Sequence, residues 1–302
     1  MNPRNFALCA VSLLFVCSAA ADPAPALRDP AEQRAWEAIA ARFTAAPSVK
    51  TDTAKATELA VAGLKTDPKG GGSASISVDK ASGRVTAVIS NGAAFRDEEF
   101  VHFAAFPELR GLTLWHNSGG FTGTGLASLA KLQKLERLTL AGGGLNDAGL
   151  VEAAKLPRLR ELRAWHSKIT DAGVAAFRSH PTLESIKIGP NWEDALTDKT
   201  LESLALCPRL KKFGIAETWL TWDGGLRHLT KLKGQLTDLD FGNCIIEPAD
   251  VERLRKEMPE TKIVWLGLGA GKAQLEVPWI RPRAEKWIPK ELLQRAMSGT
   301  EK

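Results

Sequence analysis

The chain has 302 residues, of which 44% are hydrophobic and 25% charged, and this composition excludes an intrinsically disordered protein and allows a sizeable core. Its formal net charge is only +5, and basic residues are interleaved with acidic ones, so the charge does not indicate nucleic-acid binding. No segment approaches the roughly 20 apolar residues that a membrane-spanning helix requires, and we expect no transmembrane segment in the mature chain.

Residues 1–21 have the layout of a secretory signal peptide. Arg4 precedes an apolar run from Phe6 to Val16, and small residues follow up to Ala21. The run is too short to span a bilayer, so we expect cleavage near Ala21 and a secreted or periplasmic protein.

Residues 22–84 predict an amino-terminal cap built from helices and a hairpin. Asp29, Pro30 and Glu32 suit the N-cap, the first and the third position of a helix. We expect a second helix over residues 52–64.

The cap ends in the predicted hairpin. Ile76 and Val78 alternate with polar residues, a turn follows from Asp79 to Gly83, and Val85 and Val88 lie beyond the turn. We expect the hairpin and the two helices to cover the first repeat.

One phrase recurs through residues 85–265: a leucine, two variable residues, an apolar residue, one variable residue and another apolar residue. Its leading residues are Leu109, Leu135, Leu159, Leu183, Leu210 and Leu236, which are 26, 24, 24, 27 and 26 residues apart. Such periods match leucine-rich repeats and exclude the 33- and 34-residue helical arrays. Val85 begins a degenerate first repeat and Pro259 a shortened last one, so we expect about eight repeats.

Each repeat predicts one strand and one helical return. In the segment from Leu135 to Leu140 apolar residues alternate with polar ones, as in a strand with one buried face. The segment from Ile169 to Phe177 predicts a helix that Thr170 caps and Asp171 stabilises in its first turn. Neither element buries its apolar face alone, so we expect an α/β solenoid, a right-handed horseshoe with a concave parallel sheet and convex helices.

Three segments carry a family resemblance. Leu145 to Leu150, Ile169 to Val174 and the Leu-Pro-Arg-Leu step from Leu156 to Leu159 resemble the ribonuclease-inhibitor-like leucine-rich repeats of many secreted bacterial proteins. The resemblance implies a protein-binding scaffold without catalytic residues of its own.

Residues 266–302 leave the repeat pattern and contain prolines together with Trp279 and Trp287. A short helix is expected from Glu291 to Met297. Since disordered tails rarely contain two tryptophans, we expect this extension to cap the last repeat.

The repeat register places two Trp-His pairs at one site. With the leading leucine as position one, positions three, five and seven point to the concave side, and Trp115 and Trp165 both occupy position seven. They lie two strands apart, about 10 Å at a strand spacing of roughly 4.8 Å. Two rings over the small residue Ala141 would form a slot for an aromatic, aliphatic or sugar group. Alternatively, each ring packs on neighbouring strand ends.

Charged residues on the same face are the second candidate feature. Arg137, Arg163, Lys187 and Lys212 precede Asp238 and Asp240, which gives the face a charge gradient that could orient a partner. The candidate binding residues are Trp115, His116, Thr139, Arg163, Trp165, His166, Lys187 and Trp192, and Trp219 and Trp222 are expected near the same edge. We expect an unknown protein partner, or alternatively an envelope glycan.

The sequence gives no constellation for catalysis. Zinc needs three or four ligands at about 2 Å, and between His116 and His166 the intervening repeat offers only alanine and glycine. We therefore expect no metal, no cofactor and no enzymatic activity. Cys207 precedes one strand and Cys244 follows the next, so we expect two free, buried thiols at opposite ends of the sheet.

Overall fold

The computed structural model describes residues 27–62, 65, 71–116, 121–142, 144–189 and 195–299. The strands are β1 (Ser48–Asp52), β2 (Ala56–Ala62), β3 (Ser73–Asp79), β4 (Val85–Asn91), β5 (Gly111–Trp115), β6 (Arg137–Ala141), β7 (Glu161–Trp165), β8 (Ser185–Gly189), β9 (Lys212–Ile215), β10 (Asp238–Asp240) and β11 (Lys262–Val264). The predicted signal peptide, residues 1–21, lies outside the described residues.

Short helices connect the parallel strands. The α-helices are α1 (Pro30–Ala40), α2 (Phe100–Ala104), α3 (Asp147–Ala154), α4 (Asp171–Val174), α5 (Asp198–Leu204), α6 (Pro248–Glu257), α7 (Lys272–Leu275), α8 (Arg281–Ala284) and α9 (Lys290–Ser298). Segments of 3-10 helix span Asp97–Glu99, Thr124–Lys131, Ala175–Phe177, Leu226–Leu232 and Leu268–Gly271. None of the helices in the described part of the chain is both long and apolar enough to cross a membrane.

The described strands form one open sheet in chain order, from β1 at one edge to β11 at the other. Strands β1 to β4 pair antiparallel, and β4 to β11 pair parallel. In register across the parallel strands lie Val88, Leu112, Leu138, Leu162, Ile186, Phe213, Leu239 and Ile263. The strand register predicted from the leading leucines is therefore confirmed.

The core lies between the sheet and the helices. All the leading leucines are buried, as are the apolar residues three and five positions after them, such as Leu112 and Leu114. Burial of a leucine side chain contributes about 1.5 to 3 kcal/mol, so these rows of apolar residues hold each strand to its helical return. The other face of the sheet, which we call the open face, carries the alternate residues of the same strands.

Aspartates tie successive helical returns together. Each accepts hydrogen bonds of 2.6 to 3.0 Å from both the backbone amide and the hydroxyl of a threonine in the following repeat. The pairs, which we call the aspartate bridges, are Asp97 with Thr122, Asp147 with Thr170, Asp171 with Thr197 and Asp198 with Thr221. The predicted cap is confirmed, since the Thr170 hydroxyl accepts from the Ala172 amide.

The expected second helix over residues 52–64 is wrong. Residues 48–52 and 56–62 form β1 and β2 instead, and β2 pairs along its whole length with β3. The physical reason is the alternation of Leu59 and Val61, which are buried while Glu58 and Ala60 are not.

The other predicted elements of the amino-terminal region are present. Asp29 caps α1 by accepting from the Ala31 and Glu32 amides, and Pro30 occupies the first helical turn. The hairpin is also confirmed, because β3 and β4 pair antiparallel. However, β4 also pairs parallel with β5, so the hairpin extends the sheet.

The carboxy-terminal segment packs on the last repeats through its own apolar cluster. The buried members of this cluster are Ile245, Leu268, Leu275, Ile280, Ala284, Ile288, Leu292, Leu293 and Ala296. Trp265 packs against both this cluster and the main core. Arg295 of α9 adds an ion pair of 2.8 Å to Glu247. The predicted helix at Glu291 to Met297 is therefore present, within α9.

Cys207 and Cys244 are both free and buried, as predicted. Burial raises the pKa of the Cys207 thiol to about 11, and it raises the pKa of Cys244 further. Neither thiol ionises near neutral pH.

Candidate functional site

Position seven of the repeats places Trp115 and Trp165 on the open face, where both are half-buried. The Trp165 ring lies over β8: a Cβ atom added to Gly189 would stand 2.3 Å from its Cζ3 atom. Lys187 adds a cation–π contact, with its Nζ 5.3 Å from the ring centroid. The expected floor, Ala141, is itself only 6% exposed. Trp165 thus follows the second expectation, in which the ring packs on a neighbouring strand.

The other expected tryptophans serve packing or lie outside the described chain. Trp222 is buried, and the Arg253 guanidinium lies 3.9 Å from its ring centroid. Trp219 packs against the carboxy-terminal apolar cluster. Trp192 lies outside the described residues.

Position eight of the repeats forms a second row, which we call the strand-exit edge. At five positions of this row the backbone is left-handed, with φ values of 80°, 49°, 71°, 48° and 59° at Gly92, His116, Gly142, His166 and Glu217. This conformation ends each strand with a sharp turn, and it costs a non-glycine residue roughly 1 to 2 kcal/mol. His116, His166 and Glu217 replace glycine at this cost, a pattern that is typical of functional positions.

His166 and Glu217 meet across the exits of β7 and β9. The His166 Nε2 lies 3.4 Å from the Glu217 Oε1, and the hydrogen bond to this carboxylate raises the pKa of His166. Gln274 of α7 donates to the same oxygen at 3.3 Å and accepts at 2.6 Å from the Asn243 amide. Glu217 is only 4% exposed, and its Oε2 atom has no hydrogen-bond partner among the described residues.

Glu217 was missed by the sequence reasoning. Its signal was present, because Glu217 stands at the same repeat position as His116 and His166. His116 has a different partner: its Nδ1 lies 2.8 Å from the Asn91 Oδ1. The two Trp-His pairs therefore have the same backbone conformation but different polar contacts.

The predicted charge gradient is partly neutralised within the open face. Lys187 reaches over Gly214 and forms an ion pair of 2.6 Å with Asp240, and Lys212 lies 3.8 Å from Asp238. Burial raises the pKa of Asp240, but the Lys187 ammonium and the hydrogen bond from the Gly242 amide outweigh it and leave the pKa below its usual range.

Arg137 and Arg163 differ from these lysines. Both are exposed on the open face, and neither has an ion pair within the described part of the chain. Thr139 lies in register beside Arg163 and is half-buried. The open face therefore has an unpaired basic centre at β6 and β7, followed by paired charges at β8 to β10.

The described side chains do not assemble a metal site, because nowhere among them do three or more His, Cys, Asp or Glu residues group together. His166 and Glu217 supply two donors, whereas a zinc centre needs three or four.

No known family model matches the chain, and no curated protein sequence matches it. The functional conclusion therefore rests on the residues themselves.

Proposed function

We propose that this protein is a non-enzymatic scaffold that binds another protein through its open face and its strand-exit edge. Its repeats belong in this proposal to the ribonuclease-inhibitor-like leucine-rich type, and the protein acts outside the cytoplasm after cleavage near Ala21. The observation that carries the proposal is the contrast between the two faces of β5 to β9. Helices cover one face, and no described element covers Arg137, Arg163 and Trp165 on the other.

The side chains on the open face suit a protein interface. Arginine and tryptophan are enriched at the centres of such interfaces, where they supply large contact areas and directed hydrogen bonds. The strands beneath them are fixed by the parallel register, so binding orders few backbone atoms, and this lowers the entropic cost of association.

The chemistry of the buried Cys207 thiol supports a binding role rather than a nucleophilic one. A cysteine nucleophile acts as the thiolate, and burial holds the pKa of Cys207 at about 11.

Affinity capture from the native cell envelope tests this proposal. The double variant Trp115→Ala and Trp165→Ala should lose about tenfold or more of the affinity for the captured partner, because each truncation removes an aromatic contact worth roughly 1 to 2 kcal/mol. Lys155→Ala, on the helix-covered side, is the matched control and should bind as the unmodified protein does. Undiminished capture by a double variant that still unfolds cooperatively would contradict the proposal.

The second candidate is a carbohydrate-binding protein of the cell envelope. The half-exposed ring of Trp165 favours it, because sugars stack on flat aromatic surfaces. Lys187 lies over the same ring, so a bound sugar would displace its ammonium group. Glycans should then quench the tryptophan fluorescence, and Lys187→Ala should strengthen the quenching. Absence of quenching in both proteins would remove this candidate.

A further inference from the structure

A recess of about 250 Å³ lies on the open face between β4 and β7. Its floor is made of small residues, Ala87, Gly111 and Thr113, which lie side by side on β4 and β5. Arg137, Thr139 and Arg163 form one wall. The recess thus has small residues as its floor and is bordered by two guanidinium groups.

The Arg137 side chain lies down across the floor. A Cβ atom at Gly111 would stand 3.4 Å from the nearest Arg137 guanidinium nitrogen, so the guanidinium passes directly over this glycine. A guanidinium carries its N–H donors in a planar fork that binds carboxylates with two parallel hydrogen bonds.

Arg163 stands diagonally across from Arg137. Arg137 on β6 pairs in register with Glu161 on β7, and Arg163 lies two residues after Glu161 on β7. From a strand spacing of about 4.8 Å and a rise of about 3.3 Å per residue, the two arginine backbones are roughly 8 Å apart. This separation suits two acidic groups on one extended chain, since residues two apart on a strand lie about 6.6 Å from each other.

Charge in the recess is unbalanced. Two guanidinium groups face one carboxylate, Glu161, and its oxygens form no ion pair with either arginine. By contrast, Arg160 and Lys211 beside the recess are both paired with Glu184. Arg137 and Arg163 have no ion pair in the described part of the chain, whereas their basic neighbours do. Their guanidinium groups are therefore available to a ligand.

We propose that this recess binds an extended acidic segment of a protein partner, with carboxylates on Arg137 and Arg163 and further contacts to the hydroxyls of Thr113 and Thr139. The inference rests on the proposed function and names the chemistry of the partner that the open face takes. A protein segment fits better than a larger polyanion, because the recess holds only about 250 Å³ and Ile89, which lines it, is 46% exposed and apolar.

Binding of a fluorescent oligoglutamate peptide tests the inference, with oligoglutamine of equal length as the neutral probe. The full-length protein should bind oligoglutamate at low salt and bind oligoglutamine at least about tenfold more weakly. The double variant Arg137→Gln and Arg163→Gln should lose about tenfold or more, and Glu161→Gln should bind more tightly than the unmodified protein. Lys155→Gln with Arg255→Gln removes the same charge from the helix-covered side and should leave binding unchanged.

Three results would overturn the inference: equal binding of both peptides, undiminished binding by the double arginine variant, or binding of a sulfated glycan without binding of oligoglutamate. Its failure is distinct from that of the proposed function. A captured partner that depends on Trp115 and Trp165 but ignores Arg137 and Arg163 would leave the scaffold standing and remove the acidic segment.

Discussion

Asp171 and Arg163 belong to the same repeat, but among the described residues the Asp171 carboxylate is hydrogen-bonded by its neighbours and the Arg163 guanidinium is not. Asp171, at the start of α4, accepts hydrogen bonds from the Thr197 amide and from the hydroxyls of Thr197 and Thr200. Arg163, on the open face, has no ion pair within the described residues. A carboxylate whose hydrogen bonds are supplied by the next repeat holds the two repeats together. A guanidinium without an ion pair is available for binding.

The largest expected effect on stability comes from removing the hydrogen-bonded carboxylate of Asp171. Asp171→Ala should lower the free energy of unfolding by about 3 kcal/mol, because three donors lose their acceptor and the Thr197 amide stays partly buried. Arg163→Ala should change it by less than about 0.5 kcal/mol. Urea denaturation measures both. Equal losses would break the distinction between the two sides of the repeat.

A smaller loss is expected where the aspartate bridges crowd the next helix. A Cβ atom at Gly173 would stand 2.3 Å from the Asp147 Oδ1 and 2.9 Å from its Cα. Gly173→Ala should therefore cost about 2 kcal/mol, despite the higher helix propensity of alanine. Gly71→Ala is the control, since no atom of the described residues lies within 4 Å of a Cβ atom added there. A stabilising Gly173→Ala would show that Asp147 moves freely.

The parallel repeats were predictable because one apolar pattern recurs. Leu112, Leu138 and Leu162 lie in register as the leading leucines require, and Asp29 and Pro30 open α1 as their chemistry predicts. Outside the repeats, a short run of apolar residues fits a helix and a strand equally well. The sequence therefore predicts a helix around Leu59, which in fact lies in a strand.

The candidate site was less predictable, because side-chain direction is a property of packing. The register placed Trp165 at position seven, but only the absence of a side chain at Gly189 lets its ring lie over β8. Similarly, the pairing of Lys187 with Asp240 depends on a crossing over Gly214. Glu217 was not predicted because the residues that share its repeat position, such as His116, Gly142 and His166, have no side-chain chemistry in common.

Two histidines sharpen the comparison through opposite pH dependence. The hydrogen bond to Glu217 raises the pKa of His166, so its contribution to stability is present below about pH 6.5 and is lost as the pH rises through the higher pKa of the folded state. Burial lowers the pKa of His180, so the unfolded state takes up this proton first and stability falls as the pH drops through about 6.5.

Urea denaturation of variants at each histidine, at about pH 5.5 and about pH 8.5, should show these opposite changes of stability with pH. His166→Gln should cost less than about 1 kcal/mol, and only at the acidic pH, because the imidazole is exposed. His180→Gln should remove part of the loss of stability seen at the acidic pH. The same pH dependence in both variants would contradict the hydrogen bond assigned to His166 and the burial assigned to His180.

The smallest effect is expected for the ion pair on the open face. A double-mutant cycle on Lys187 and Asp240 should give a coupling free energy of about 0.5 kcal/mol, because both side chains are more than one third exposed. High salt should reduce this coupling. A coupling as large as the loss in Asp171→Ala would show that the open face, too, is built mainly for stability.

The central claim is that the open face is the binding surface, and site-specific photocrosslinking in the native envelope tests it most directly. A photoreactive side chain at Thr139, in the centre of the open face, should capture a protein partner, whereas the same group at Lys155 on the helix-covered side should capture none above background. Crosslinking from Lys155 alone, with none from Thr139, would contradict the account.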